Sequence, residues 1–190
     1  MKAVMISIRP ECCEKILNGD KTIEIRKTHP RLKTPFKCYI YCTKGTPLER
    51  CTSPFIKEWF LLDGENSRNF NSAVNGKVVA EFTCDKIIDV DCDSIAPFDK
   101  KTGFYIEEES GVSRDALWKY MGGPIRPYGW HISGLKAYAN PRELDEFKQR
   151  VKHHWYDYCG IDKPVWEFEP LERAPQSWCY VEELEDAVRD

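Results

Sequence analysis

A mixed α+β domain is the fold class this sequence predicts, and three observations predict it. Short apolar runs with period-two alternation recur at 2–8, 22–27, 36–43, 77–90 and 132–138. Between them lie segments with helical spacing that open on Pro or Ser and close on Gly. Apolar residues make up 42% of the 190, including six Trp, nine Tyr and nine Phe, which is enough for a real core and fits one domain with decorations.

The elements follow in order. Val4, Ile6 and Ile8 alternate with Met5 and Ser7, a first strand. Pro10 suits the first turn of a helix and Gly19 its end, with Cys13, Ile16 and Leu17 on one face. A charged strand covers 22–27, and a Pro-punctuated link leads to a strand at Phe36–Thr43, where Tyr39 and Tyr41 share a side. Residues 44–76 read as an insertion with a helix built on Phe55, Trp59 and Leu62. Lys77–Val90 carries the strongest strand pattern and holds a carboxylate, Glu81, that needs a partner inside an apolar strand. Ser113 caps a helix running to about Met121, and a turn-rich loop follows, with Tyr128, Trp130 and His131. Ile132–Tyr138 returns as a strand. Asn140-Pro141-Arg142-Glu143 predicts the start of a helix with Leu144, Phe147 and Val151 buried, and a last helix from about Ser177 would bury Val181, Leu184 and Val188. The division expected is therefore 1–140 as the main domain and 141–190 as a helical extension packed on it.

Composition narrows the function. No apolar run approaches the roughly 20 residues that span a bilayer, and the apolar start at Met1–Ile8 is too short for a signal peptide, so the expectation is a cytoplasmic protein. Nine Cys then read as reduced thiols. A zinc site from Cys38, Cys42, Cys84 and Cys92 fits no usual spacing, and buried thiols are the simpler reading. There is no phosphate-binding Gly loop, nucleophile elbow or His-Glu-x-x-His run; neither metal nor cofactor is expected.

Charge is uneven. The net is −3, yet residues 1–50 hold 11 Lys/Arg against 5 Asp/Glu. That asymmetry points to an anionic partner for the N-terminal part, while the acidic remainder argues against broad duplex binding. The chemistry concentrates in Gly19-Asp20-Lys21-Thr22-Ile23-Glu24-Ile25-Arg26-Lys27. On a strand Glu24 and Arg26 share a face opposite Ile23 and Ile25, roughly 7 Å apart, and Lys21 reaches over them from the turn. An exposed strand face with an ordinary Glu–Arg pair would show the same alternation.

Ser7-Ile8-Arg9-Pro10, the helix ending Ile16-Leu17-Asn18-Gly19, Lys21–Arg26, Tyr39-Ile40-Tyr41, Gly76–Phe82 and Trp130–Tyr138 together resemble an ASCH domain of the PUA-like superfamily. The family pattern Gly-x-Lys-x-x-Glu-x-Arg is matched by Gly19, Lys21, Glu24 and Arg26. The tail Arg173–Trp178 resembles longer bacterial and phage-associated members. The resemblance implies a partly open β-barrel flanked by helices, with a cleft lined by the hallmark strand. It also implies RNA, single-stranded or structured, or a nucleoside or nucleotide as ligand. Lys21, Arg26 and Lys27 would then contact phosphate or base edges, and Tyr128 and Trp130 would be stacking platforms. The resembled family also includes hydrolases, one branch cleaving the amide of N4-acetylcytidine with a Lys, a Thr and a Glu, another linked to ribonuclease activity. In that alternative Lys21, Glu24 and Glu81 are the working set. Glu24 stands where the amidase has Thr, and a carboxylate cannot supply a hydroxyl nucleophile, which leaves general-base activation of water. The Trp-rich tail and acidic C-terminal part motivate a third class, a protein-interaction factor.

Overall fold

The computed structural model of the chain describes residues 1–44, 74–90, 106–122, 126–156 and 158–184. The helix expected inside the 44–76 insertion lies outside them. So do Cys92 and Val188.

β1 (Lys2–Ile8) runs into α1 (Pro10–Asn18), which starts at Pro10 and stops at Gly19, whose φ of 83° is left-handed and favours glycine. β2 (Ile23–Arg26), β3 (Phe36–Cys42) and β4 (Val78–Asp89) follow. Next come the short α2 (Ile106–Ser110) and α3 (Arg114–Met121), the latter capped by the Ser113 hydroxyl, which accepts from the Ala116 amide. β5 (Tyr128–Arg142) is the longest described strand. A single 3-10 turn (Leu144–Glu146) leads to β6 (Lys148–Tyr156), β7 (Asp162–Pro170) and β8 (Trp178–Glu182).

Six strands form one sheet in the order β2-β5-β4-β3-β1-β8; β1 and β3 are parallel and the other pairs antiparallel. The sheet is open among the described strands, yet its two end strands approach each other. Trp178 on β8 donates from Nε1 to Thr28 Oγ1 just beyond β2 at 3.1 Å, and the Arg31 amide donates to the Tyr180 hydroxyl at 2.8 Å. This is an α+β, partly open barrel architecture.

Among the described residues, three apolar clusters hold it. The largest fills the barrel with Ile6, Ile8, Cys38, Ile40, Phe82 and Trp130, and α1 covers one end through Cys13, Ile16 and Leu17. Tyr39, Val78, Phe147 and Leu171 belong to the second. Ile23 and Ile25 enter the third, with Ile106, Leu117 and Met121 of the α2–α3 unit. That placement is the Ile23/Ile25 alternation put to use: one face of β2 meets helices and the other is left for the charged residues. Gly129 sits opposite Ile25 in β5, and a Cβ there would lie 2.9 Å from the Ile23 side chain, so the close approach requires glycine.

Over the described residues of 141–184, the helical extension expected there is corrected by the structure. The Asn140–Glu143 signal does build a capping box, Glu143 with Glu146, but it closes only the 3-10 turn. Phe147 is then fully buried, which anchors the chain, and Lys148–Tyr156 continues as strand because Val151, Trp155 and Tyr156 pair across with β7. The expected last helix is instead β8, recruited by the outer edge of β1, which would otherwise be left unpaired. Residues 178–182 thus join the main sheet, across the boundary placed at 140.

No described helix is long and apolar enough to cross a membrane. Cys13 and Cys38 are buried, and burial pushes both thiols well up; Cys84 is pushed up to about 12 and Cys179 to about 11. A native thiol that holds its proton while the unfolded chain has already lost it makes stability fall as pH rises above about 9. The urea midpoint should therefore be lower at pH 10.5 than at pH 8. In native labelling with iodoacetamide at pH 8, exposed Cys159 should react ahead of Cys13, Cys38 and Cys84. Equal labelling rates would contradict that burial.

Candidate functional site

The turn after α1 places Lys21 by two backbone bonds: its amide donates to the Lys15 carbonyl, and the Thr22 amide to the Glu109 carbonyl of α2. Lys21 is 2% exposed, Glu24 7% and Arg26 8%, so the exposed-face reading of this strand does not hold. Glu24 lies between the two cations, 3.2 Å from Lys21 Nζ and 3.0 Å from Arg26 Nη2. Lys21 Nζ also donates to the Ser110 carbonyl at 2.6 Å. Arg26 reaches across the barrel opening, donating from Nη2 to the Ser7 carbonyl near the end of β1 and from Nη1 to Ser177 Oγ at 3.4 Å. One guanidinium thus ties β2 to the opposite end of the sheet.

These groups line a cavity of about 900 Å³. Its walls include the ends of β1 and β3 (Ser7, Arg9, Tyr41, Lys44), Cys12 of α1, Leu117 and Tyr120 of α3, and the segment 174–177 before β8. Lys27 stands at the rim, its Nζ 3.2 Å from the Met121 carbonyl and 5.1 Å from the Tyr120 ring. Among the described residues, five basic side chains, Arg9, Lys21, Arg26, Lys27 and Lys44, surround a single carboxylate, Glu24. In a chain of net charge −3 this is a local reversal of sign. Burial pushes the Cys12 thiol up, with Glu24 adding to it, so the thiol is a neutral wall group.

The structure therefore brings Lys21, Glu24, Arg26 and Lys27 together and leaves three expected residues elsewhere. Glu81 is not a cavity residue. It lies on β4 opposite Tyr39, where it accepts from the Tyr138 hydroxyl at 2.9 Å and meets Lys37 at 3.8 Å and Lys136 at 3.6 Å. The partner that a strand carboxylate needs is supplied there by neighbouring strands. Burial, then the Glu81 carboxylate, raises the Tyr138 phenol strongly. Trp130 is fully buried against Phe36 and Trp178, both 6.0 Å away between ring centroids, so no base can stack on it. Tyr128 contacts His29 edge-on at 4.5 Å and is not among the cavity residues. Tyr41 and Tyr120 are the described aromatic side chains that line the cavity. Nothing in the sequence pattern singles out Tyr120, far from the hallmark run; Tyr41 had a signal in the Tyr39-Ile40-Tyr41 strand, as Ser7 and Arg9 did in the Ser7-Ile8-Arg9-Pro10 stretch. Thr22 donates its hydroxyl to Glu109 at 2.9 Å and offers no nucleophile to the cavity.

For metals, His153, Glu167 and Glu169 on β6–β7 place donor atoms within 4.8 Å of one another, but His153 is already 2.6 Å from Glu169, and that pair needs no ion. No other such group is found among the described residues.

No sequence-family model and no curated protein sequence matches the chain. Solved structures do. The crystal structure of ASCH from Zymomonas mobilis aligns with a TM-score of 0.55 at 15% identity, over 95% of this chain and 88% of that one. A serine-to-alanine mutant of the same protein gives 0.55 at 15% identity, over 95% and 89%. A tyrosine-to-phenylalanine mutant of it gives 0.50 at 18%, over 77% and 78%. At such identities the likeness is one of architecture, and it covers both the main sheet and the strands of the C-terminal part: this chain has the ASCH fold.

Proposed function

We propose that the chain is an ASCH-type binding module whose cavity takes one nucleotide-sized unit, free or presented by single-stranded or looped RNA. What carries this reading is the cavity's make-up: five cations about one fixed carboxylate, in a volume of about 900 Å³. That volume suits a small ligand with a phosphate and is too small for a duplex. Arg9, Lys27 and Lys44 supply charge for phosphate. Glu24, held by Lys21 and Arg26, presents carboxylate oxygens to a base amino group. Tyr41 and Tyr120 offer apolar faces to a ring.

Calorimetric titration with nucleoside 5′-monophosphates, N4-acetylcytidine and short single-stranded RNA tests it. Binding of at least one of these is expected, and Arg9→Ala with Lys27→Ala should weaken a phosphate-bearing ligand about tenfold or more, as expected when charge-assisted bonds are lost. Both side chains are exposed, so the buried ion cluster stays intact. No heat with any of them would overturn the reading.

A hydrolytic reading keeps one observation in its favour, the amine of Lys21 beside the carboxylate of Glu24 in a cavity. It now lacks Glu81. Chromatography of the same mixtures decides it: product that disappears with Glu24→Gln would establish hydrolysis, and unchanged ligand would exclude it for those substrates.

A further inference from the structure

The β6–β7 ribbon is a two-stranded sheet separate from the main one, anchored at its base by buried Phe147 and Leu171, where the Leu171 amide donates to the Phe147 carbonyl at 2.8 Å. Its register puts Lys148, Arg150, Lys152, His154 and Tyr156 of β6 on one face with Pro164, Trp166, Phe168 and Pro170 of β7. Every one of these residues is exposed; on the reverse face Gln149, Val151, His153 and Glu169 are half-buried, while Trp155, Lys163, Val165 and Glu167 are exposed as well. On the exposed face cations and aromatic rings sit opposite each other: Arg150 across from Phe168, Lys152 across from Trp166. Arg150 also lies over the Trp166 ring at 4.6 Å. Trp166 is 49% exposed and Phe168 52%.

The sign of the charge on this face is one-sided. Among the described strand residues of the ribbon, the acids Glu167 and Glu169 lie on the reverse face, and Asp162, on this face, is taken up by His154 at 2.8 Å. On this face Lys148, Arg150 and Lys152 therefore set three positive charges along one strand, about 6.6 Å apart in succession. The Arg150–Trp166 contact contributes modestly to the fold, as a cation over a ring does at an exposed site, and it leaves Trp166 and Phe168 each about half exposed between these cations. A polyanion with flat apolar faces complements both features at once: phosphates along the basic strand and bases on Trp166 and Phe168. A duplex, with its bases stacked inside, could use only the charges.

We propose that this ribbon face is a binding site for a single-stranded polynucleotide, distinct from the cavity. The site stands on the ribbon's own residues and holds whether or not the cavity takes a nucleotide.

The experiment is fluorescence titration of the full chain with labelled 12-nucleotide RNA and DNA single strands over a salt series. The wild type should bind, and its log affinity should fall with log salt by about 0.7 for each phosphate neutralised. Lys148→Ala with Lys152→Ala should reduce that slope by about 1.4. Trp166→Ala with Phe168→Ala should lower affinity at least about fivefold, the lower limit for one base stacked on an aromatic ring, and keep the slope. All four positions are exposed, and melting curves verify that the variants stay folded. Nucleoside monophosphate binding, read by calorimetry, should be unchanged in both, which separates this site from the cavity. A preference between the RNA and DNA strands names the source of the ligand. Absence of oligonucleotide binding by the wild type, or affinity and slope unmoved in both variants, would overturn the proposal. So would the finding that the substitutions abolish binding to anionic phospholipid vesicles or an acidic protein but spare the oligonucleotides.

Discussion

Replacing Arg26 by alanine is expected to destabilise the fold by about 3–5 kcal/mol, the range for removing one partner of a buried ion pair. Three losses coincide. Among the described residues Glu24 keeps only Lys21 as a counter-charge, the Ser7 carbonyl loses this donor, and the link between β2 and the 174–177 segment is cut. In a chain of this length each kcal/mol moves Tm by roughly 2–4 °C, so the melt should drop by about 6–20 °C. Arg26→Lys keeps the charge but cannot span Glu24, Ser7 and Ser177 together, and should recover only part of the loss. A change below about 1 kcal/mol, the scale of an exposed pair, would mean that the two ends of the sheet hold each other without this guanidinium.

Trp130→Ala is expected to cost about 3–5 kcal/mol, as large aromatic truncations in a packed core do. The ring fills the barrel between Phe36 and Trp178, and its residue pairs with Glu24 in the β2–β5 register. Its Nε1 is buried with no hydrogen-bond acceptor among the described residues. Trp130→Phe removes that unsatisfied donor together with some volume, and should therefore cost much less than alanine. Urea midpoints of the two variants check the order. Nucleotide affinity offers the second readout: with Trp130 inside the core, Trp130→Phe should leave it unchanged, while a tenfold loss would show that the ring reaches ligand after all.

Local patterns carried the parts of the fold that local physics determines. The Ile23/Ile25 against Glu24/Arg26 alternation needed only the pleat of a strand. The limits of α1 needed only Pro10 and Gly19, and those of α3 only Ser113 and Gly122. The tail misled for an equally physical reason. Leu144, Phe147 and Val151 have helical spacing, but Phe147 is claimed by Tyr39, at 4.9 Å between rings, and the chain beyond it gains a cross-strand partner instead of a helical face. Tertiary contact overrode propensity there, as it did where β1 drew Trp178–Glu182 into the sheet.

The same division runs through the candidate site. That Glu24 and Arg26 would share a face was written in the alternation of β2, because a strand fixes the relative positions of its own side chains; Lys21 joins them from the turn, which the Lys21 and Thr22 amides fix on the Lys15 and Glu109 carbonyls. Which distant groups join them depended on long-range closure. Glu81, equally placed on a strand, meets Tyr138 and Lys37 because β4 lies in the middle of the sheet, away from the opening. Tyr41, Tyr120 and Ser177 enter because the ends of β3, α3 and the approach to β8 converge on one gap. A sequence specifies what each segment can bury and what it must pair. Only the folded sheet, by bringing segments some 151 residues apart to the same guanidinium, decided where the cavity would be.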